Sequence, residues 1–532
     1  MDIKKDLMTS NTETDSVSRA EYDTLKKQLA EVSAQNQWLL EQLKISKKKQ
    51  FGSSSEKMQS AMEGQLSFTY NEAEANAYGT VSATPEQIKV KEHARKRNSG
   101  SIKDVIPENL TEIVVEHRLS EEERNCPVCR TEMVEIGKEE HCSLVIEPPK
   151  YSVRRDVYYT YACKQCEKDT NESVIVKTPK EQTVLPGSFA SPEAIAHIMT
   201  QKFVMYSPLY RQEQEFHRNG LKLSRQTMSN WILRAADDWL KPIYDELHRQ
   251  LCKHSVLHAD ETTLQVLKEP GKKSTSKSYM WLYRTSGDTE NPIVLYDYQP
   301  NRKAQNAIEF LDGFTGWLHA DGYQGYHKLP EQIRVVGCWA HARRKFDEAL
   351  HTIPADAQKD SPAAIGLRYC SKLFRLEEQF SNMTPEERYR ERLEQEKPVL
   401  DALLSWANDL RGKTAPKSAL GKALHYLIEQ WPYLLRYLEN GNLELSNNRA
   451  ERSIKPFVMG RKNWLFANTP AGANSSSVIY SLIETAKENQ LDPYKYLKWV
   501  FCQAPQLAKT HENWPVLLIP SAAPDECKNI IT

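Results

Sequence analysis

The tetrapeptide Leu-His-Ala-Asp occurs twice in the sequence, at residues 257–260 and again at residues 318–321. Each copy is a short apolar run that ends in a carboxylate, which is typical of a buried strand carrying an aspartate at its tip. If Asp260 and Asp321 meet, they and a third carboxylate would bind hard divalent cations of the kind used in phosphoryl transfer. The alternative is a chance match of four residues.

Length and composition narrow the classes of protein. A chain of 532 residues is too long for one core and predicts roughly three to four domains. The chain has 71 basic residues (Lys and Arg) and 71 acidic residues (Asp and Glu). Any surface that binds nucleic acid must therefore come from local clustering of basic residues. We expect no membrane span, because no run of about 18 apolar residues occurs, and the polar N-terminus is unlike a secretory signal.

The first 57 residues contain a heptad pattern. Apolar residues alternate three and four apart and predict an N-terminal coiled-coil region, residues 1–57, that makes a homo-oligomer. The a and d positions are Tyr22, Leu25, Leu29, Val32, Asn36, Leu39 and Leu43, with the polar Asn36 at an a position. An amphipathic helix that packs within its own chain is the alternative. Residues 58–118 are predicted to be a basic linker, either solvated or in contact with phosphates.

Two Cys-x-x-Cys pairs follow in residues 119–180. Such pairs, each across a tight turn, suit a tetrahedral zinc ion and a reducing cytoplasm. The ligands would be Cys126, Cys129, Cys163 and Cys166. A strand-like run at 151–161 lies between the pairs, so we predict a zinc ribbon with an enlarged hairpin and structural Zn²⁺. Unliganded cysteines, or a ligand exchanged for His141 or Cys142, are the alternatives.

Residues 190–250 are predicted to be a helix-turn-helix region. A helix over 191–218, a turn at Gly220 and a second helix from Ser224 match that motif. An ordinary helical hairpin is the alternative. The second helix would present to DNA the side chains of Arg225, Gln226, Ser229 and Asn230.

Residues 251–346 show an order of elements that fits one kind of sheet. Strands are predicted at 255–267, 279–284, 292–298, 317–321 and 333–338, with a helix at 302–311. Three strands, a helix and two further strands describe the opening of a ribonuclease-H-like α/β core. In that fold the first and fourth strands are neighbours, and each ends in a metal-binding aspartate.

The third carboxylate should follow a helical insertion at 347–440, which prolines interrupt repeatedly. Residues 441–480 are predicted to hold the core helix with Glu451, with Ser446 as its N-cap and Pro456 ending or kinking it. A surface glutamate in a charged helix is the alternative. Residues 481–532 complete a multidomain α+β chain as a C-terminal helical segment.

Several motifs resemble one family. The matching segments are 257–262, 319–326, 338–346, 447–452 and 460–466. With them the chain resembles DDE transposases, and more narrowly the transposase of the insertion sequence 66 family. The resemblance extends to 51–57, the cysteine pairs and 485–499. It implies a catalytic triad of Asp260, Asp321 and Glu451 that binds two Mg²⁺ or Mn²⁺ ions.

The family implies cleavage of the element ends and joining of 3′ hydroxyls to target DNA by two-metal phosphoryl transfer. It also implies a bacterial cytoplasmic, nucleoid-associated protein and possible accessory transposition proteins. Further DNA contacts are expected from His341, Arg343, Arg344, Arg449, Arg452, Lys455, Arg461 and Lys462. Val458 departs from the DDE class, which often has a cation there. The alternatives are a nuclease or resolvase without strand transfer, and a decayed DNA-binding regulator.

Overall fold

The computed structural model describes Lys26 and residues 150–163, 174–287 and 289–529. The chain divides into two compact units, one of residues 55–179 and one of residues 1–54 with 180–532. The predicted coiled coil lies outside the described residues except for Lys26, which is helical. No helix among the described residues is long and apolar enough to cross a membrane.

The described part of the smaller unit is a two-stranded antiparallel sheet. Strand β1 (Thr160–Cys163) pairs with β2 (Val174–Lys177), and Thr160 lies opposite Lys177. The strand predicted at 151–161 therefore begins only at Thr160. Of the predicted zinc ligands, Cys126, Cys129 and Cys166 lie outside the described residues, as does the side chain of Cys163.

The larger unit is built on a five-stranded mixed sheet. Its strand order is β5-β4-β3-β6-β7, antiparallel from β5 to β3 and parallel from β3 to β7. The bounds are β3 Val256–Gln265, β4 Lys277–Thr285, β5 Val294–Gln299, β6 Gly316–His319 and β7 Ile333–Val336. Residues 256–259 are all buried, as expected for a strand whose two faces are covered. The five strands predicted from sequence are confirmed, and the first and fourth are neighbours.

Within residues 180–255, four helices precede the sheet. They are α1 (Pro192–Phe203), α2 (Leu209–Arg218), α3 (Arg225–Ala235) and α4 (Lys241–Leu251), with a π-helical turn at Ala236–Leu240. The single helix predicted over 191–218 is wrong. Tyr206 has a φ of 57°, and Pro208 disfavours helical geometry at the preceding residue, so the chain breaks there. The predicted start of α3 is confirmed, since the Ser224 side chain accepts from the Thr227 amide.

Helix α5 (Ala304–Phe310) lies between β5 and β6. The region after β7 is helical, and its helices are α6 (Trp339–Leu350), α7 (Pro362–Gln379), α8 (Pro385–Glu391), α9 (Lys397–Arg411) and α10 (Ala419–Leu434). Helices α7, α8 and α9 each carry a proline in the first turn, where its missing amide costs nothing. Side chains of α6, α7, α9 and α10 form a second core with Val336 of β7.

Three long helices close the larger unit: α11 (Asn448–Trp464), α12 (Pro470–Glu488) and α13 (Pro493–Thr510). One sequence prediction about α11 is corrected: Asn447, one residue after Ser446, occupies the N-cap position. Of the two alternatives at Pro456, an end of the helix is excluded, because the helix continues to Trp464. Helix α12 packs on β5, where the Ser481 and Thr485 hydroxyls accept the amides of Tyr296 (2.7 Å) and Val294 (3.0 Å).

Candidate active site

The histidines of the two Leu-His-Ala-Asp copies stack on each other. Strands β3 and β6 are parallel, and their register places His258 opposite His319. The ring centroids lie 4.4 Å apart with 13° between the planes, and neither side chain is exposed. Burial lowers the pKa of His258 to about 3 and holds that of His319 well below its usual value. Both rings are therefore neutral and join β3 to β6. The predicted position at a strand tip is wrong for Asp260, which lies within β3 two residues past the last pair with β6, whereas Asp321 lies just past the end of β6.

Asn447 attaches the start of α11 to β3. Its Nδ2 donates to the Ala259 carbonyl at 2.7 Å, and its Oδ1 accepts from His258 Nδ1 at 2.9 Å. Its backbone amide also donates to Cys338 Sγ at 3.1 Å. Glu451 lies one helical turn beyond Asn447, with its amide donating to the Asn447 carbonyl at 3.2 Å. This anchoring brings the first turn of α11 beside Asp260.

Asp260 lies among the other carboxylates. Its pKa is raised well above the usual value, first by burial and then by the negative charges of Glu261, Asp321 and Glu451. The Glu261 amide donates to Asp260 Oδ1 at 2.8 Å and partly opposes that rise. Asp260, Asp321 and Glu451 thus come within electrostatic reach of one another, although Glu451 is remote in sequence. Their mutual repulsion favours a bound cation or proton.

Asp321 lies just beyond the end of β6. Its Oδ1 accepts from the Tyr323 amide at 2.9 Å, and its Oδ2 lies 3.9 Å from Arg302 Nη2. The Tyr323 hydroxyl donates to the Arg302 carbonyl, and the Arg302 guanidinium lies over the Tyr323 ring at 3.9 Å. A short loop therefore orients Asp321 and places a cation beside it.

The sequence reasoning missed Glu261 and Arg302. The Glu261 side chain is 1% exposed and accepts from Arg302 Nε at 2.6 Å and from the Tyr326 hydroxyl at 2.5 Å. Burial and the charge of Asp321 raise the pKa of Glu261, while Tyr326 and Arg302 oppose the rise. The sequence signal for Glu261 was a second acidic residue directly after Asp260. Arg302 had no sequence signal, because only the fold brings it beside Glu261.

The two carboxylate oxygens of Glu451 have different neighbours. Oε2 accepts from Arg344 Nη2 at 3.3 Å. Oε1 lies 3.7 Å from His341 Nδ1, and neither of these two buried atoms has a hydrogen-bond partner among the described residues. Burial lowers the pKa of His341, and Glu451 opposes this. Cys338 Sγ completes a group of three ligand atoms that lie within 4.8 Å of one another.

The other cations predicted to contact DNA lie mostly along α11. Arg449 pairs with Glu444 at 2.8 Å, and Arg461 donates to the Thr262 and Thr263 hydroxyls at 3.2 and 3.1 Å. Arg452, Lys455 and Lys462 are exposed, and Val458 is half-buried. Arg343 on α6 lies instead against α7, where its Nε donates to Ser371 at 3.3 Å.

On α3, Arg225, Gln226 and Asn230 are exposed and Ser229 is half-buried, as expected of the outer face of that helix. Gln226 donates to Asn230 at 3.0 Å. Gln226 and Ser229 also line a cleft whose other side holds Lys202 and the start of α12. Burial lowers the pKa of Lys202 to about 8.

Comparison with known proteins decides the family. Residues 187–475, more than half of the chain, match the family described as Transposase IS66 family. The chain belongs to this family. The resemblance noted from sequence motifs is thereby confirmed, and the family makes the chain a transposase, a class of protein that processes DNA.

Two further segments agree with this result, and the chain is also similar to relatives over most of its length. Residues 481–518 match the IS66 C-terminal element, and residues 38–115 match a model described as Transposase C of IS166 homeodomain. The chain is 32% identical to the uncharacterized protein y4jD of Sinorhizobium fredii, over 71% of this chain and 74% of that protein. It is 28% identical to the uncharacterized protein y4qI of the same organism, over 91% of this chain and 87% of that protein.

Proposed function

We propose that this IS66-family transposase cleaves element ends and joins the 3′ hydroxyls to target DNA, with Asp260, Asp321 and Glu451 as its catalytic residues. The observation that carries the proposal is the meeting of these three carboxylates. Asp260 and Asp321 each lie two residues past the last residues that pair between β3 and β6, and Glu451 comes from a helix bonded to β3. The strand order supports a ribonuclease-H-like core, in which carboxylates gather at this sheet edge.

The residues fit divalent cations. The carboxylates supply hard oxygen ligands, burial and then the neighbouring carboxylates raise the pKa of Asp260, and Glu451 Oε1 is buried without a hydrogen bond among the described residues. Asp260, Asp321 and Glu451 would hold two Mg²⁺ or Mn²⁺ ions. Bound there, the ions would activate the attacking oxygen and stabilise the leaving oxygen of the phosphodiester.

The chain's own side chains would position the reactants. Arg344 holds one oxygen of Glu451, and Arg302 pairs with Glu261 and partly offsets its charge beside Asp260. The exposed cations Arg452, Lys455 and Lys462 would bind phosphates along α11, and α3 would contact DNA through the cleft beside Lys202. No covalent nucleophile on the protein is required by this arrangement.

Further features are proposed from the sequence and from the family. Cys126, Cys129, Cys163 and Cys166 would hold a structural Zn²⁺, and the heptads of residues 22–43 would make a homo-oligomer that pairs the element ends. Accessory transposition proteins and a nucleoid-associated location in the bacterial cytoplasm are what the family suggests.

The decisive test is a strand-transfer assay with pre-cut element ends, a supercoiled target and Mg²⁺. Asp260→Asn should abolish joined product, because the amide removes a charged metal ligand. Glu331→Gln, on an exposed site before β7, is the charge-matched control and should retain activity. Full joining by Asp260→Asn would refute the proposed site. Nicks without joined product from the wild-type chain would indicate a nuclease instead.

A further inference from the structure

Three side chains of different ligand type meet beside α11. Cys338 immediately precedes α6 and His341 is the third residue of α6, so a spacing of three places both on one side of the helix start. Glu451 approaches from α11. A sulfur, a ring nitrogen and a carboxylate oxygen then lie within 4.8 Å of one another.

Two of these three atoms have no hydrogen-bond partner among the described residues. The separation of 3.7 Å between His341 Nδ1 and Glu451 Oε1 is too long for a hydrogen bond, and both atoms are buried. Arg344 Nη2 donates to the other oxygen of Glu451, Oε2. Cys338 Sγ accepts from the Asn447 amide at 3.1 Å and lies beside the amides of Ala340 and His341. Because an unsatisfied buried polar atom is costly, this convergence of ligand atoms favours a bound cation.

We propose that Cys338, His341 and Glu451 form a binding site for a borderline-soft divalent transition ion of the Zn²⁺ class. Sulfur and nitrogen ligands favour such ions, whereas Mg²⁺ requires oxygen. Three protein ligands leave one coordination position open, which is the pattern of an ion that contacts substrate. On binding, the ion replaces the proton of the Cys338 thiol, and that proton goes to solvent.

The proposed site is chemically distinct from the two Mg²⁺ or Mn²⁺ positions of the carboxylate cluster, with which it shares only Glu451. Asp260 and Asp321 offer oxygen only, while Glu451 shares its position with sulfur and nitrogen. The inference shares Glu451 with the proposed function but requires no DNA chemistry. Metal binding without DNA therefore tests it, and strand transfer tests the proposed function.

The test uses the full chain, stripped with a chelator and titrated with Co²⁺ while absorption is recorded. The Cys338→Ser and His341→Ala variants should each bind one Co²⁺ fewer per chain, or bind that ion at least roughly 10–100-fold more weakly. A loss of that size already follows the substitution of residues that only orient metal ligands. Cys338→Ser should also lose thiolate-to-cobalt charge-transfer absorption. The four cysteines of the predicted zinc ribbon contribute equally to every sample, so difference spectra isolate this site.

The control is Cys370→Ser, which removes another buried thiol, on α7. It should keep the wild-type cobalt spectrum. Circular dichroism establishes that each variant is folded, and His341→Gln replaces His341→Ala if the latter unfolds. Wild-type cobalt stoichiometry in the folded Cys338 and His341 variants would overturn the proposal. Complete displacement of Co²⁺ by millimolar Mg²⁺ would also overturn it, because it would indicate an oxygen-only site.

Discussion

At the scale of single residues, the repeated tetrapeptide has a physical explanation that the sequence alone did not provide. Both histidines are buried, neutral and stacked, so they pack β3 against β6. The proximity of Asp260 and Asp321 could be predicted because a carboxylate after a short apolar run is a local signal. Glu261 and Arg302 could not, because their pairing depends on a turn of chain that brings residues 41 apart together.

Asn447 provides the first prediction. Asn447→Ala removes a donor to the Ala259 carbonyl and an acceptor for His258, and it leaves both groups buried and unsatisfied. We expect a loss of about 2–4 kcal/mol in the free energy of unfolding, measured by urea denaturation. The neighbouring Asn448→Ala is the control and should cost less than about 1 kcal/mol. Equal losses would show that the Asn447 side chain does not anchor α11.

Glu396 provides a prediction about pH. Burial, assisted by the charge of Glu377, raises the pKa of Glu396 to about 8 in the folded chain, against 4.5 in the unfolded one. The folded state therefore retains a proton that the unfolded state loses. Its ionisation destabilises the fold progressively between pH 4.5 and about 8, by up to about 1.4 kcal/mol per pH unit.

Glu396→Gln should remove this penalty while leaving an acceptor for the Tyr437 hydroxyl, which donates to Glu396 Oε2 at 2.7 Å. We expect the variant to be more stable than the wild type at pH 8 and nearly equal at pH 4.5. Thermal unfolding at the two pH values measures this difference. Glu394→Gln, a nearby exposed site, should show no such dependence. A pH-independent difference for Glu396→Gln would contradict the assignment.

At the scale of elements, the sheet was the most predictable part and the helix ends the least. The strands followed from short apolar runs, although Asp260 lies within β3 and not at its end. The break between α1 and α2 was missed although Pro208 is a sequence signal for it; the positive φ at Tyr206 has no such signal. The start of α11 was placed one residue early, because Ser446 and Asn447 are equally good caps by composition.

Helix α12 supplies hydrogen-bond acceptors to the amides of the edge strand β5. Among the residues that the structure describes, β5 has no strand partner on its outer side, and its Val294 and Tyr296 amides donate instead to hydroxyls of α12. Thr485→Val keeps the shape of the side chain and removes the acceptor for the Val294 amide. We expect a loss of about 1–3 kcal/mol in the free energy of unfolding, measured with denaturant.

The matched control for α12 is Ser476→Ala. The Ser476 hydroxyl donates only to the Gly472 carbonyl of its own helix at 2.7 Å, so its removal should change stability by less than about 0.5 kcal/mol. If Thr485→Val is as stable as Ser476→Ala, the hydroxyl of Thr485 does not serve the sheet edge.

At the scale of the whole molecule, the helical insertion explains how Glu451 returns to Asp260. The chain that leaves the sheet and the chain that comes back are hydrogen-bonded to each other. Gly337 donates to the Tyr433 carbonyl at 2.9 Å, and Trp339 donates to the Leu445 carbonyl at 3.1 Å. The length of the insertion is therefore immaterial to the position of Glu451. The sequence could predict that the insertion exists, but not how its two ends are joined.

Arg392 holds the returning chain. It is 1% exposed, pairs through two nitrogens with Glu377 at 2.6 and 2.8 Å, and donates to the carbonyls of Tyr437, Asn440 and Leu443. These carbonyls belong to the segment that leads into α11. Since removing one partner of a buried ion pair leaves the other charge uncompensated, Arg392→Met should cost about 3–5 kcal/mol.

The effect of Arg392→Met should also reach the carboxylate cluster. Because the segment before α11 loses its fixed path, strand transfer should fall at temperatures where the variant is still folded, as measured by circular dichroism. Arg390→Met, on the exposed face of α8, is the matched control and should retain both stability and activity. A folded Arg392→Met chain with wild-type strand transfer would show that the hydrogen bonds at Gly337 and Trp339 position Glu451 without help from the insertion.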